Sequence, residues 1–266
     1  MPPPCLPWSQ CPTSALRAVR GVLTDIDDTL TTEGAITPDA LAALQALRDA
    51  GLPVMAITGR PMGWSQPFAR DWPLDAIVAE NGAVALYKKE GALVVDYIQD
   101  EVTRQANTQR LAQTAQRILR EVPGCALARD SKGRMTDIAI DHSEFAHLSE
   151  AQIQQVVAIA RADGLTATVS SIHINAWLGD HNKLSGARWI VQQRMKRDVA
   201  TELDAWVYVG DSTNDQLLFG HFPLSVGVAN LRRFERQLEV WPRYITSCER
   251  GAGFAQVAQA ILKARA

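Results

Sequence analysis

The most constraining feature of the sequence is the stretch from Gly21 to Thr32, in which a short apolar run ends in three closely spaced carboxylates. Its first residues suit a buried parallel strand, and ligands of open α/β sheets bind at the carboxyl ends of such strands. Asp25, Asp27 and Asp28 follow at that end. Crowded carboxylates repel each other unless a cation neutralises them, and hard oxygen ligands favour Mg²⁺ or Ca²⁺. The stretch therefore predicts a chemically active strand end.

A calcium-binding EF-hand loop and an acidic turn without function are the two alternatives for this stretch. The EF-hand loop fails on position. Counted from Asp25, the sixth residue is Leu30, where the loop needs glycine, and the twelfth is Ile36, where it needs glutamate. The acidic turn without function stays open for this stretch taken alone.

A second strand end supplies residues that suit an anion. The strand predicted from Leu52 to Thr58 follows the first strand after one short helix, so the two strands run parallel and end at the same edge of the sheet. Thr58, Gly59 and Arg60 bring a hydroxyl group, flexible backbone and a cation to that edge. A plain strand-to-helix turn explains Gly59 but leaves Arg60 unexplained.

Lys183 is a further candidate, because of where it falls in a helix. It lies in the first turn of a helix predicted from Asn182 to Met195, where the helix dipole disfavours a cation. An anionic neighbour would compensate for this position. The alternative is an exposed lysine, for which the unfavourable position costs very little.

A second acidic strand end follows the apolar strand predicted from Trp206 to Val209. Asp211, Asn214 and Asp215 come directly after that strand. Because parallel strands end at one edge of a sheet, these side chains should lie beside the first acidic strand end. The alternative is that Asp211 and Asn214 only cap the following helix.

Chain length and charge limit the classes of function. At 266 residues the chain can form one core with an inserted domain. A net charge of −2 gives no general attraction to nucleic acid or anionic lipid, so we expect a small-molecule partner, no nucleic-acid partner and no membrane association. Four cysteines without a CxxC pair predict free thiols in a reducing compartment, and hence a cytoplasmic location. The oligomeric state is left open.

The secondary-structure pattern divides the chain into three parts. Residues 1–19, rich in proline and without a signal-peptide pattern, are predicted to be a flexible tail. Residues 20–85 and 179–266 alternate strands and helices, which predicts an α/β, doubly wound, Rossmann-like parallel sheet of about six strands. Residues 86–178 follow the order α-β-β-α-β-β, which predicts an inserted α+β domain.

Four segments in order resemble the four motifs of the haloacid dehalogenase-like phosphatases: Asp25-Ile-Asp27-Asp-Thr29, Thr58-Gly-Arg60, Lys183, and Gly210-Asp211-Ser-Thr-Asn214-Asp215. The resemblance covers essentially residues 20–266. The insertion at 86–178 is similar to the type IIB cap domain of the Cof-type, sucrose-phosphate and mannosylphosphoglycerate phosphatases. Each motif alone is weakly specific, but four in order on strand ends are a specific combination.

The resemblance implies a catalytic role for four residues. Asp25 would attack phosphorus to form an aspartyl-phosphate. Asp27 would protonate the leaving oxygen and then deprotonate water. Thr58 and Lys183 would hold the phosphoryl oxygens, where developing charge benefits from fixed donors.

The resemblance also implies a metal site and a substrate site. The metal site would comprise Asp25, Asp27, Asp211 and Asp215: the carboxylates of Asp25 and Asp211 and the carbonyl oxygen of Asp27 would bind Mg²⁺, while Asp215 and Asn214 would orient metal-bound waters and Lys183. The phosphorylated substrate, a small metabolite, would be bound at the strand ends by Gly59, Arg60 and Asn214. A single phosphate-binding and metal-binding site would thus explain the two acidic strand ends, Arg60 and Lys183 together.

The predicted cap strand from Ile172 to Trp177 suggests a further part of the substrate site. His173 and Asn175 alternate with apolar side chains, so they share one face of the strand. That face either forms the roof of the pocket, which makes both residues candidates for substrate binding, or is exposed to solvent. A sugar phosphate is the preferred substrate class by analogy.

Three alternatives to a phosphatase follow from the same residues. A receiver-like signalling domain also clusters Asp, Thr and Lys on a doubly wound sheet, but it needs only about 120 residues and lacks both the Asp25/Asp27 pair and the insertion. A catalytically silent binding module conflicts with a competent residue at every motif position. A phosphomutase or other phosphotransferase is harder to exclude.

Overall fold

The computed structural model describes residues 5–266, which form strands and helices in alternation. The strands are β1 (Leu6–Pro7), β2 (Gly21–Thr24), β3 (Thr31–Thr32), β4 (Ala35–Ile36), β5 (Val54–Ile57), β6 (Ala76–Ala79), β7 (Val84–Lys89), β8 (Ala92–Tyr97), β9 (Ala126–Leu127), β10 (Asp137–Asp141), β11 (Thr166–Val169), β12 (His173–Trp177), β13 (Trp206–Gly210), β14 (Leu224–Gly227) and β15 (Tyr244–Ile245). The α-helices are α1 (Thr13–Ala18), α2 (Pro38–Asp49), α3 (Met62–Asp71), α4 (Glu101–Glu121), α5 (Glu150–Ala162), α6 (Lys183–Met195), α7 (Gln216–His221) and α8 (Arg250–Arg265).

The main sheet has nine strands in the order β1-β15-β14-β13-β2-β5-β6-β7-β8. Neighbours are parallel from β1 to β6, and β7 and β8 add an antiparallel hairpin at one edge. The central strands β2, β5 and β13 are buried along their whole length, as apolar strands covered on both faces must be. One apolar cluster packs α2, α3 and α8 on one face, and another packs α6 and α7 on the other. The predicted doubly wound α/β core is confirmed.

The hairpin of β7 and β8 differs from the predicted division of the chain. The sequence assigns residues 86–97 to the insertion, but the hairpin belongs to the main sheet, because β7 pairs with β6 and β8 pairs with β7. The cause is the turn at Asn81 and Gly82, whose φ angles of 55° and 109° fold the chain back on β6. Val84 and Leu86 then point into the main core. The sheet is therefore larger than the six strands predicted.

Residues 5–19 are built into the main layer, so the prediction of a flexible tail is wrong for them. β1 pairs in parallel with β15, and α1 packs on α8. Trp8 is 5% exposed and packs edge-to-face on Tyr244, with ring centroids 5.5 Å apart. Pro12 stands immediately before α1, where the missing N–H costs nothing. Residues 1–4 of the predicted tail lie outside the described residues.

Residues 101–177 form a second layer, with α4, β9, β10, α5, β11 and β12 in the predicted αββαββ order. The strands make an antiparallel sheet in the order β11-β12-β10-β9, and both helices pack on one face around a separate apolar cluster. Asp137, His173 and Asn175 lie on the opposite face. That face is buried against the carboxyl edge of the main sheet, since His173 and Asn175 are 2% and 1% exposed. The alternative of solvent exposure is therefore wrong.

The sequence predicts no membrane association and free cysteine thiols. Within residues 5–266 no helix is both long and apolar enough to span a bilayer. The four cysteines all fall in this range, and each is a free thiol. The cytoplasmic location stays a prediction.

Candidate active site

The two acidic strand ends lie side by side, as predicted. β2 and β13 pair with Thr24 opposite Val209, and the N–H of Asp25 donates to the Val209 carbonyl oxygen at 2.8 Å. This register brings together the side chains that follow the two strands. Carboxylate oxygens of Asp25, Asp211 and Asp215 lie within 4.8 Å of one another.

Lys183 connects the two acidic strand ends. Its Nζ lies 2.6 Å from Asp25 Oδ1, 2.7 Å from Asp215 Oδ1 and 3.2 Å from Asn214 Oδ1. Its side chain is 3% exposed, so the alternative of an exposed lysine is wrong. Although burial lowers it, the carboxylates of Asp215 and Asp25 raise the pKa of Lys183 above its ordinary value. The ammonium group therefore stays charged in this buried position.

The Asp215 carboxylate is held by four donors. Its Oδ1 accepts from the ammonium group described above and, at 2.5 Å, from the hydroxyl of Tyr208. Its Oδ2 accepts the backbone N–H groups of Asp211 at 2.9 Å and Ser212 at 3.1 Å. Tyr208 contacts the site through this hydrogen bond and was missed by sequence reasoning, because an aromatic residue inside an apolar strand usually indicates core packing.

Asp211 does not cap the helix that follows it. Ser212 is the N-cap of the next short 3₁₀ turn, so the helix-cap alternative is wrong for Asp211. Its Oδ2 accepts from Nδ2 of Asn230 at 3.1 Å, whereas its Oδ1 is buried with no hydrogen-bond partner among residues 5–266. A buried carboxylate oxygen without a partner is costly, and a cation would remove that cost.

The electrostatics of the carboxylate cluster fit a bound cation. Burial raises the pKa of Asp25 because desolvation outweighs the attraction of Lys183, and the charges of Asp215 and Asp27 add to the rise. Burial also raises the pKa of Asp211, with the charges of Asp25 and Asp215 acting in the same direction. One lysine therefore does not neutralise this cluster. A divalent cation with oxygen ligands would do so, and the donor set suits Mg²⁺.

Arg60 holds the second carboxylate of the first motif. Its Nε lies 3.0 Å and 3.1 Å from the two oxygens of Asp27, and its backbone N–H donates to Thr58 Oγ1 at 3.0 Å. Its other guanidinium nitrogens reach Asp130 Oδ2 at 3.1 Å and Glu144 Oε1 at 3.0 Å. Both of these carboxylates belong to the second layer. Arg60, which a plain turn left unexplained, thus links the two layers at the site.

The residues of the second layer that face the site contact the main sheet directly. The carbonyl oxygen of Gly59 accepts from Nδ2 of Asn175 at 3.3 Å and from a guanidinium nitrogen of Arg134 at 3.0 Å. His173 Nε2 lies 2.8 Å from Glu144 Oε2. The structure therefore brings His173 and Asn175 to the predicted site, where they close it.

Glu80 is a second junction between the layers, and sequence reasoning missed it. The residue is fully buried. Its carboxylate accepts the backbone N–H groups of Met62 and Met135 at 3.0 Å, and both the N–H and the hydroxyl of Thr136 at 2.6 Å. The sequence marks Glu80 only as part of a turn, because its partners are distant in the chain.

The chamber beside Asp25 is nearly filled in this closed arrangement. Asp25, Asp27 and Arg60 line it from the main sheet, and His173 and Asn175 line it from the second layer. The chamber has a volume of about 10 Å³, which is enough for about one water molecule. In this closed arrangement the chamber therefore has no room for a ligand much larger than water.

A larger cleft of about 360 Å³ lies directly beyond this chamber. Ser170 lines both spaces. Thr213 lines the cleft, and its neighbours in the chain, Ser212 and Asn214, line the chamber. The Thr213 hydroxyl donates to the Val169 carbonyl oxygen at 2.6 Å, and both residues line the cleft. The far side of the cleft includes Phe234 and Arg161.

Comparison with known proteins gives one family match for part of the chain and several similar folds. Residues 22–119 match the family model described as haloacid dehalogenase-like hydrolase. No curated protein sequence matches the chain. Solved structures do match, and at identities of 14–16% they show the fold alone.

Three of these structures cover nearly the whole chain. A Thermoplasma acidophilum protein, 0175, is 14% identical, with a TM-score of 0.69, over 91% of this chain and 98% of its own. The sucrose-phosphatase of Synechocystis, solved with sucrose and phosphate, is 16% identical, with a TM-score of 0.64, over 92% and 98%. A sugar phosphatase of subclass IIB is 14% identical, with a TM-score of 0.58, over 92% and 97%.

The chain has the α/β core with inserted layer that these structures share, and its first two motifs fall inside the matched segment. Residues 22–119 are therefore similar to the haloacid dehalogenase-like hydrolases, the family that the four motifs predict, and the solved structures share the fold of the whole chain.

Proposed function

We propose that this protein is a Mg²⁺-dependent phosphomonoester hydrolase that acts on a small phosphorylated metabolite through an aspartyl-phosphate on Asp25. The observation that carries the proposal is the contact of Lys183 Nζ with Asp25 Oδ1 at 2.6 Å. It fixes one carboxylate oxygen of a buried, charge-shielded nucleophile beside a second carboxylate, Asp27. The family match and the phosphatases among the similar folds support the same reaction class.

In the first step, a carboxylate oxygen of Asp25 attacks phosphorus and the bond from phosphorus to the leaving oxygen breaks. Asp27, protonated for this step, gives its proton to the leaving oxygen. Lys183 and Thr58 hold the phosphoryl oxygens as their charge develops. These roles are proposals for this chain.

In the second step, water attacks phosphorus, Asp27 takes its proton, and the bond from phosphorus to Asp25 breaks to release phosphate. Arg60 would keep Asp27 oriented for this transfer. Asp25, the Asp27 carbonyl group and Asp211 would hold Mg²⁺, with Asp215 fixing the adjoining loop. When bound, Mg²⁺ supplies positive charge that offsets the charge of the phosphoryl group.

We propose that residues 101–178 act as a movable cap over this site. The two connections to the main layer lie side by side, since Gln99 Nε2 donates to the Leu178 carbonyl oxygen at 2.8 Å. Opening about these connections would separate Asn175 from Gly59 and admit substrate. Closure would then exclude water from the aspartyl-phosphate until the leaving group departs.

A sugar phosphate is the proposed substrate class. Once the Thr213 contact with Val169 opens, the cleft of about 360 Å³ offers space for the part of the substrate beyond phosphate. Its lining combines hydroxyl, amide and charged side chains, which suit a hydroxylated leaving group, with apolar side chains and the rings of His142 and Phe234. The sucrose-phosphatase and sugar phosphatase among the similar folds favour the same class.

The test is a screen of phosphate release with Mg²⁺ over sugar phosphates, phosphoglycolate, nucleotides and phosphorylated cofactors. We expect release that EDTA abolishes, with the best kcat/KM among sugar phosphates. Asp25→Asn serves as the control for contaminating phosphatase. No release from any phosphomonoester would overturn the proposed activity, whereas transfer of phosphate to an added sugar would identify a phosphotransferase.

A further inference from the structure

Tyr208 has an unusual place in a strand that is otherwise apolar. It is fully buried in the middle of β13, and its hydroxyl reaches Asp215 Oδ1 at 2.5 Å. Its ring packs on Phe219 and Phe222, with centroids 5.8 Å and 6.2 Å away. A phenylalanine would make the same ring contacts. The packing therefore accounts for the ring and leaves the hydroxyl to be explained.

The hydroxyl shares its acceptor atom with Lys183. Asp215 Oδ1 accepts both the Tyr208 hydroxyl and, at 2.7 Å, the lysine Nζ, which also lies 2.6 Å from Asp25 Oδ1. Burial and the nearby carboxylates raise the pKa of Tyr208 well above its ordinary value, so the group stays a donor. A chain of contacts thus runs from Tyr208 through Asp215 and Lys183 to Asp25.

Because Tyr208 and Lys183 share Asp215 Oδ1 as acceptor, the tyrosine hydroxyl influences how close Lys183 Nζ lies to Asp215 and to Asp25. A hydrogen bond from a second donor satisfies part of the oxygen's charge, so the oxygen attracts the ammonium less strongly. Without that donor, Asp215 would draw Lys183 Nζ towards itself and away from Asp25. The backbone N–H groups that hold Oδ2 would not prevent this shift, because they bind the other oxygen.

We propose that Tyr208 is a positioning residue, whose hydroxyl holds Asp215 so that Lys183 stays against Asp25 and the phosphoryl group. This inference rests on the role proposed above for Lys183. Tyr208 is not among the residues that line the chamber beside Asp25, so it acts only through the other two side chains.

The chain offers a matched control at Tyr87. Its hydroxyl also donates to an aspartate, Asp96 Oδ2, at 2.5 Å, and Asp96 also binds a second donor, Gln193 Nε2, at 2.7 Å. Tyr87 is 7% exposed and lies in the hairpin strand β7, outside the carboxylate cluster. Tyr87→Phe therefore removes the same kind of hydrogen bond without reaching Lys183.

The kinetic test compares Tyr208→Phe with Tyr87→Phe on p-nitrophenyl phosphate. We expect Tyr208→Phe to lower kcat about tenfold with KM changed less than about twofold, and Tyr87→Phe to leave both within about twofold. In a Lys183→Ala background, Tyr208→Phe should have no further effect on kcat, because the two residues act as one unit. Equal kcat for the two Tyr variants, or additive effects in the double variant, would overturn the proposal.

A structural readout tests the inference without using activity. A crystal structure of Tyr208→Phe should show Lys183 Nζ displaced from Asp25 by at least about 0.5 Å, a shift that is large for a site of this kind. An unchanged Nζ position would overturn the inference. If the wild-type protein releases phosphate from no substrate, the proposed function fails, and this distance still decides whether Tyr208 positions the lysine.

Discussion

The guanidinium of Arg60 lies against the carboxylate of Asp27, with Nε 3.0 Å from Oδ1 and 3.1 Å from Oδ2. A charged hydrogen bond of this kind fixes the orientation of the Asp27 carboxylate. Because Arg60 also binds Asp130 and Glu144 of the second layer, we infer that the position of the cap and the orientation of Asp27 are coupled.

Asp25→Asn should abolish phosphate release while the fold stays intact. An amide neither attacks phosphorus nor binds the cation, so we expect a loss of at least about 10³-fold in kcat, or roughly 4 kcal/mol in the barrier. Steady-state kinetics and circular dichroism measure the two properties. Retained phosphate release by the purified variant would remove Asp25 from the role of nucleophile.

Asp211→Asn should raise the Mg²⁺ concentration needed for half-maximal activity by at least about tenfold, since a carboxylate ligand is replaced by a weaker amide. Mg²⁺ should also raise the melting temperature of the wild-type protein but not of the variant. Asp204→Asn, at an exposed aspartate, is the control. Full activity in EDTA would contradict the metal mechanism. Equal activity with Ca²⁺ would also contradict it, because Ca²⁺ forms longer bonds in a looser geometry than Mg²⁺ does.

Acid should loosen the closed cap through Glu144. The hydrogen bond from His173 and the charge of Arg60 outweigh burial and lower the pKa of Glu144 from 4.5 to about 2. Because the folded pKa is depressed, this stabilisation is present above about pH 4.5 and is lost as the pH falls towards about 2.

Hydrogen exchange of the cap backbone near Glu144 at pH 5 and pH 3 measures this effect, after correction for the intrinsic exchange rate. Wild-type protection should fall at pH 3. Glu144→Gln should show weak protection at both values, whereas Glu150→Gln, at an exposed glutamate, should behave as the wild type does. Equal protection of the wild type at both pH values would show that Glu144 does not hold the cap.

The strand ends were predictable from sequence because they depend on short-range patterns. An apolar run followed by Asp25 or Asp211 predicts both a buried parallel strand and the edge at which its carboxylate lies. The helix that begins at Lys183 was predictable from the capping residue Asn182 in the same way.

The junctions between the layers were not predictable, because their partners are far apart in sequence. Glu80 binds backbone groups of Met135 and Thr136, more than fifty residues away, and nothing local distinguishes it from a surface turn residue. Tyr208 is similar, since its ring satisfies the apolar pattern and conceals the role of its hydroxyl. The N-terminal residues were misjudged because proline content argues against long helices but not against a short edge strand such as β1.

The final prediction concerns His173, which lines the chamber from the cap and is held by Glu144 at 2.8 Å. His173→Gln keeps a polar side chain but changes the shape presented to the part of the substrate beyond phosphate. We expect the ratio of kcat/KM between sugar phosphates and p-nitrophenyl phosphate to change at least about fivefold, while the aryl phosphate itself stays within about threefold. His147→Gln, at an exposed histidine of the cap, is the control. A uniform loss on every substrate would instead show that His173 serves closure of the cap and does not select the substrate.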